Sequence, residues 1–153
     1  MNKVEGPARI AIVGAGRVGS TAAHALMLRA LVREIVLIDS NHLLAEAEAA
    51  DIADTSALAR PARIWAGSYA NATNATIAVI TAGAATHGSE SRLALLARSA
   101  AIVASSVREL VKAGFSGTFL VAANPVDIMA HVALGEHGDI ELAASRQHLW
   151  VSS

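Results

Sequence analysis

This sequence predicts a doubly wound parallel α/β domain, and three observations carry that reading. Apolar runs of strand length alternate with longer segments of helical pattern. The runs are nearly continuous in apolar residues, as strands covered on both faces are. A glycine turn joins the first run to the first helix. In order, Ala8-Arg9-Ile10-Ala11-Ile12-Val13 is β-rich and stops at Gly14, and Val18 to Arg29 is Ala/Leu-rich with helical spacing. Glu34-Ile35-Val36-Leu37-Ile38 reads as a second strand and Asn41 to Ser56 as a helix. Arg63-Ile64-Trp65-Ala66 and Ile77-Ala78-Val79-Ile80 are two more strands, followed by a long helix over Ser91 to Ala113. Thr118-Phe119-Leu120-Val121-Ala122 is a fifth strand, and Val126 to Leu134 a short final helix. Because crossovers between parallel strands are right-handed, the leading topology is a Rossmann-type sheet.

Composition narrows the function classes. A chain of 153 residues suits one compact domain. Its 12 Lys+Arg nearly balance 13 Asp+Glu, and the arginines are scattered singly, so no nucleic-acid surface is expected. Apolar residues make up 54% but aromatics only 3%, so the core is built from Ala, Val, Leu and Ile. Cysteine is absent, which excludes disulfides, thiolate metal sites and cysteine catalysis. No metal site and no membrane partner are expected, since no apolar stretch is long enough to span a bilayer. The first residues lack a secretory h-region, which points to a cytoplasmic protein. On that reading Asn71-Ala72-Thr73 and Asn74-Ala75-Thr76 are polar turn residues rather than glycosylation sequons.

The sharpest local signal is Gly14-Ala15-Gly16-Arg17-Val18-Gly19, placed between first strand and first helix. Gly14 permits a tight turn, Gly16 lets a pyrophosphate approach the backbone, and Gly19 lets helix and strand pack closely. The helix N-terminus adds free N–H groups and the positive end of its dipole. Asp39 closes the second strand 20 residues beyond Gly19. A carboxylate there accepts hydrogen bonds from ribose hydroxyls and repels a 2′-phosphate, which favours NAD over NADP. The bland alternative is a glycine turn that binds nothing, with Asp39 as a helix cap.

Beyond that turn the chain resembles the L-lactate/malate dehydrogenase family, the lactate branch more closely, over roughly residues 8–142. The resemblance rests on Gly14 to Ser20, Val36-Leu37-Ile38-Asp39, Trp65-Ala66-Gly67-Ser68-Tyr69, Val79-Ile80-Thr81-Ala82-Gly83-Ala84, Gly88-Ser89-Glu90-Ser91-Arg92-Leu93, Ala123-Asn124-Pro125-Val126-Asp127 and Gly135-Glu136-His137-Gly138-Asp139. It implies an NAD-dependent oxidoreductase of 2-hydroxy acids, most simply L-lactate to pyruvate. The implied cofactor residues are Gly14, Gly16, Val18, Gly19, Asp39, Tyr69, Gly83, Ala84, Ser105, Ala122, Ala123 and Asn124. Arg92 matches an arginine that closes over substrate and polarises its carbonyl, and Asn124 a residue that holds the substrate oxygen. Asp127 also falls in the implied substrate set. His137 matches the histidine that takes the hydroxyl proton as hydride leaves, a task suited to an imidazole. Thr86 falls at the substrate-discriminating position, where lactate enzymes share a Gln and malate enzymes an Arg. Leu44 stands where a Lys is common beside the adenosine.

The resemblance also implies what this chain lacks. Between Leu134 and Gly135 it is expected to miss an internal segment that bears the sixth strand and an Asp-x-x-Arg pair. The Asp would orient the catalytic histidine; the Arg would clamp the substrate carboxylate. The expected division is an NAD-binding domain over 1–134 and a remnant of the substrate domain over 135–153. Nine helical residues after strand five would carry the chain about 13 Å away, so His137 is not expected in catalytic position. Phe119-Leu120-Val121-Ala122 would be an open apolar edge prone to self-association, unless the tail at Leu149-Trp150-Val151 covers it. Homo-oligomers are expected in any case from the resemblance.

Three other readings remain: an NAD-binding module without turnover, a malate dehydrogenase-like enzyme, and a regulatory nucleotide-binding domain like those of potassium-transport systems. The motifs at Asn124, Gly88 to Arg92 and Gly135 to Asp139 argue against the last. A short-chain dehydrogenase needs Tyr-x-x-x-Lys, but Tyr69 is followed by Thr73 at that spacing.

Overall fold

A computed structural model describes residues 9–55, 62–85, 88–136 and 150–151, the last pair as backbone. The elements are β1 (Arg9–Val13), α1 (Arg17–Leu28), β2 (Glu34–Ile38), α2 (His42–Thr55), β3 (Arg63–Ala66), β4 (Ile77–Ile80), α3 (Arg92–Lys112), β5 (Thr118–Val121), α4 (Val126–Glu136) and β6 (Trp150–Val151). A 3-10 turn at Tyr69–Ala72, which the sequence reading lacked, precedes β4. It closes because Asn71 Oδ1 accepts the Ser68 amide at 2.8 Å, so this asparagine is a turn residue as expected.

The sheet order is β3-β2-β1-β4-β5-β6, with every pairing parallel. That is the doubly wound topology expected on five principal strands. The sixth strand here, β6, is two residues of the tail, the alternative that the sequence left open for this edge. Trp150 and Val151 pair with Leu120 and Val121, so the edge of β5 expected to be open is covered there. An unpaired row of backbone amides and carbonyls favours any segment able to satisfy it. Leu149 lies outside the described residues.

Strand periodicity explains why the sheet is covered on both faces. Ala11, Val13, Val36, Ile38, Ala78 and Ile80 share one face and pack with Val103, Val107 and Leu110 of α3 and Met129 of α4. Ile10, Ile12, Ile35, Leu37 and Val79 point the other way, onto Ala23 and Met27 of α1 and Ala45, Ala49 and Ile52 of α2. Fully burying each large aliphatic side chain contributes about 1.5–3 kcal/mol, so neither layer can be shed without losing much of the core. The small alanines of α2 let that helix lie close to the sheet. At the N-terminal edge Arg9, Glu34 and Arg63 stand in register across three strands. Arg9 pairs with Glu34 at 2.7 Å, and Arg9 and Arg63 both lie over the Trp65 ring. Helix α4 extends two residues past the expected end at Leu134, so the expected domain boundary at 134/135 falls within it.

Candidate coenzyme-binding cleft

The sheet order reverses between β1 and β4, which leave toward opposite sides, so a crevice opens at their C-terminal ends. The glycine turn fills its floor. Gly14 adopts φ +104°, and a Cβ there would lie 2.7 Å from the Ala82 amide nitrogen and from Thr81 Oγ1. Only glycine fits. Gly19 faces back against this turn, where a Cβ would meet the Gly14 carbonyl oxygen and come within 2.8 Å of Thr81 Oγ1. Gly16 differs from both. It is the N-cap of α1, with ordinary φ of −71°, and nothing lies within 4 Å of where its Cβ would be. The space beside Gly16 is therefore open on the cleft side.

No side chain caps α1, and no acidic residue sits in its first turn. The leading N–H groups, which have no intrahelical partner, thus face the crevice together with the positive dipole end. A cavity of about 480 Å³ extends from there. Its polar wall includes Asp39, Ser40 and Thr81; its apolar wall includes Leu44 of α2 and Ala101 and Ile102 of α3. The volume, the open glycine and the free amides fit a dinucleotide.

Asp39 is placed by β2, whose last residue, Ile38, precedes it. Its Oδ2 accepts the Ala15 amide at 2.7 Å, and its Oδ1 accepts the Asn41 amide at 2.8 Å. The α2 cap is Asn41, whose Oδ1 accepts the Leu44 amide at 3.2 Å. Asp39 is therefore free of the capping role considered for it, and Oδ2 keeps a second lone pair toward the cleft.

Of the expected coenzyme residues, Gly14, Gly16, Asp39, Tyr69, Gly83 and Ser105 all line this cavity. Gly19 backs the turn, and Val18 stands 56% exposed on the first turn of α1. Ala84 follows Gly83, its amide donating to the buried Ser99 hydroxyl at 3.2 Å. Ala122, Ala123 and Asn124 lie beyond β5 rather than on the cavity wall, with Asn124 exposed before a cis proline bond. Asp127 is exposed in the first turn of α4. Arg92 opens α3, is exposed, and has no hydrogen-bond or ion-pair partner among the described residues. Thr86 and His137 lie outside the described residues. The described neighbour of His137, Glu136, pairs with Arg108 at 3.1 Å. Arg108 lies 16 residues along α3 from Arg92, about 24 Å by helical rise.

The sequence reading missed Thr81, Ala82, Ile102 and Ser106 in the wall. Ile102 lies three residues before Ser105 on α3 and Ser106 four after Ile102, so both could have been inferred step by step at helical spacing. Ser99, also missed, could not. Nor was the clip by Arg98 expected: it grips Glu90 with two nitrogens at 2.6 and 2.8 Å and the Ala85 carbonyl at 2.7 Å. The Glu90 hydrogen bond, opposed by desolvation, raises the pKa of Arg98 further above its ordinary value.

The fold and this cleft define a dinucleotide-binding domain of the doubly wound class. Residues 8–141 match the family model for the lactate/malate dehydrogenase NAD-binding domain. The chain belongs to the lactate/malate dehydrogenase family, and its coenzyme is NAD. It is 42% identical over 130 residues to an L-lactate dehydrogenase of Moorella thermoacetica, covering 85% of this chain and 41% of that one. With an L-lactate dehydrogenase of Priestia megaterium the identity is 44% over 124 residues, covering 81% and 39%. The crystal structure of a minor L-lactate dehydrogenase from Enterococcus mundtii superposes with a TM-score of 0.83 at 36% identity, covering 86% of this chain and 42% of that chain. Malate dehydrogenase from Archaeoglobus fulgidus in complex with NADH gives 0.78 at 35% identity, covering 84% and 44%. The chain thus spans about two-fifths of the length of the curated relatives it matches.

Proposed function

We propose that this chain is the coenzyme half of an NAD-dependent L-2-hydroxyacid dehydrogenase, most simply L-lactate dehydrogenase. The observation that supports it is the free first turn of α1, with Gly16 and Asp39 both on the wall of a cleft of about 480 Å³. Gly16 and the amides that follow it would hold the diphosphate, Asp39 the adenosine ribose, and Leu44 with Ile102 the base. Gly83, Ala84 and the Ala122 to Asn124 segment would flank the nicotinamide end, with Val18, Tyr69 and Ser105 along the way. When bound, the nicotinamide supplies a hydride acceptor for the substrate carbon. Arg92 would polarise the carbonyl, Asn124 would hold its oxygen, His137 would take the hydroxyl proton, and Thr86 and Asp127 would border the acid. The lactate reading draws on the names of the Moorella and Priestia relatives; the malate reading draws on the Archaeoglobus structure.

A second reading, binding without turnover, is favoured by one observation. Helix α4 continues to Glu136 and is tied to Arg108, which places the start of the Gly135-Glu136-His137 segment far along α3 from Arg92. Losing the carboxylate partner of a catalytic histidine costs about 10⁴-fold in the serine-protease comparison. One sample decides among these two and the malate reading. NADH is titrated by fluorescence, then pyruvate and oxaloacetate reduction are assayed. Binding with pyruvate turnover supports the enzyme, and binding alone supports the module. Oxaloacetate preference supports the malate reading, and no binding refutes all three.

A further inference from the structure

The Gly14–Ala15 peptide is held from both ends, and one of the two groups that hold it is Thr81. Thr81 stands just past β4, where its amide donates to the Val13 carbonyl at 2.9 Å in continuation of the ladder. Its hydroxyl lies 2.9 Å from the Gly14 carbonyl oxygen and 3.0 Å from that of Val13. Val13 already receives the Thr81 amide, so the Gly14 carbonyl is the acceptor that depends on this hydroxyl. Across the same peptide, the Ala15 amide donates to Asp39 Oδ2 at 2.7 Å. A trans peptide is planar, with its C=O and N–H pointing in opposite directions. Fixing both ends therefore fixes the plane. A flip would break both bonds and turn a carbonyl oxygen toward Asp39, where a carboxylate would repel it.

We propose that Thr81 is a positioning residue for the coenzyme diphosphate. Its hydroxyl keeps the Gly14 carbonyl turned into the fold, so the backbone donors from Gly16 onward, and not an oxygen, face the phosphates. Asp39 completes the clamp from the ribose side and is held independently by the Asn41 amide at 2.8 Å, so it keeps its place when the Thr81 hydroxyl is lost. The proposal rests on the coenzyme reading above. It goes further in assigning a role to a side chain that reaches the diphosphate through the backbone.

The test compares Thr81→Val, which keeps the shape and removes the hydroxyl, with Thr81→Ser, which restores it. NADH and ADP affinities are measured by fluorescence titration and competition, with adenosine as the ligand that lacks phosphate. Thr81→Val is expected to weaken NADH and ADP about tenfold, the equilibrium factor of one hydrogen bond. Adenosine stays within about twofold, because its contacts do not depend on the turn. Thr81→Ser recovers NADH binding. Parent-like NADH affinity in Thr81→Val, a proportionate loss of adenosine, or no recovery with serine overturns the proposal. Hydrogen exchange on the unsubstituted, coenzyme-free protein gives a second readout that needs no variant to fold. The Ala15 amide is expected to exchange far more slowly than those of Gly16 and Arg17, and equal rates overturn the clamp. If the unsubstituted protein binds no NADH, the coenzyme reading fails while the exchange result still decides the clamp.

Discussion

Replacing Gly16 by alanine separates binding from folding more cleanly than any other change in the cleft. The added methyl meets nothing within 4 Å, and the φ of −71° at this position is ordinary for alanine. Alanine is a poorer N-cap than glycine by up to about 1 kcal/mol, while a less flexible unfolded chain returns about 0.4–1 kcal/mol. The two nearly cancel, so Tm should move by less than about 3 °C for a domain of this size. Binding should suffer, because the methyl projects into the space the diphosphate must enter. Losing two hydrogen bonds to a charged group removes roughly 3 kcal/mol, which is about 150-fold in NADH affinity. Gly14→Ala behaves in the opposite way. At φ +104° with a backbone nitrogen 2.7 Å from the new Cβ, it should destabilise the fold by about 3 kcal/mol or more. Fluorescence titration and thermal melting of both variants complete the comparison. Parent-like NADH affinity in Gly16→Ala, or a large drop in its Tm, would refute the placement of the diphosphate beside Gly16.

Three further outcomes are expected. Asp39→Ala strands the Ala15 amide, so it should lower stability by about 1–3 kcal/mol, weaken NADH, and raise the NADPH-to-NADH affinity ratio; an unchanged ratio in paired titrations counts against the ribose assignment. Leu110→Ala empties a fully buried position between the sheet and α3. It should cost about 2–5 kcal/mol in urea unfolding without a selective effect on coenzyme affinity. Ending the chain at Glu136 removes β6 and bares Leu120 and Val121, so light scattering should report greater self-association than for the full chain; an equally monodisperse species would show that β6 protects nothing.

The parts of the molecule legible in sequence are those fixed by local pattern. Ile35 to Ile38 form an unbroken aliphatic run, and such a run flanked by helices leaves little alternative to a buried parallel strand. Gly14, Gly16 and Gly19 were readable because their spacing has one geometric use between a strand and a helix. Thr81 was not. A threonine after an aliphatic run is equally consistent with one more strand residue, and its role exists only because β4 lies against β1. The same holds for Ser99, which matters through an amide 15 residues away, and for the Arg98 clip on Glu90 and Ala85. Trp150 and Val151 carry no periodic signal, since two residues are too few for one; their pairing follows from the edge they meet. Asp39 was found by its position, yet its bond to Ala15 was not, because that contact crosses from β2 to the turn after β1.

The coenzyme cleft and the groups proposed to face substrate are divided along the chain for a physical reason. Every residue on the cavity wall comes from β1, β2 or the turns that follow β1, β2 and β4, from α1's cap, α2, α3 or the 3-10 turn, all before residue 107. The switch between β1 and β4 is complete once β4 is laid down, so the proposed diphosphate and adenosine contacts would not depend on β5 or anything after it. The groups proposed to face substrate are distributed differently. Arg92 starts α3 with no partner among the described residues, Asn124 stands on the turn after β5, and α4 carries the chain from there to Arg108. A hydride-transfer site needs those groups within a few ångströms of one another, whereas a coenzyme grip needs only the first half of the sheet. Coenzyme binding and the proposed catalysis are therefore separable in this chain. A variant that repositions Arg92 should leave the NADH titration unchanged, and one that disturbs Gly16 should remove binding even where Arg92 is in place.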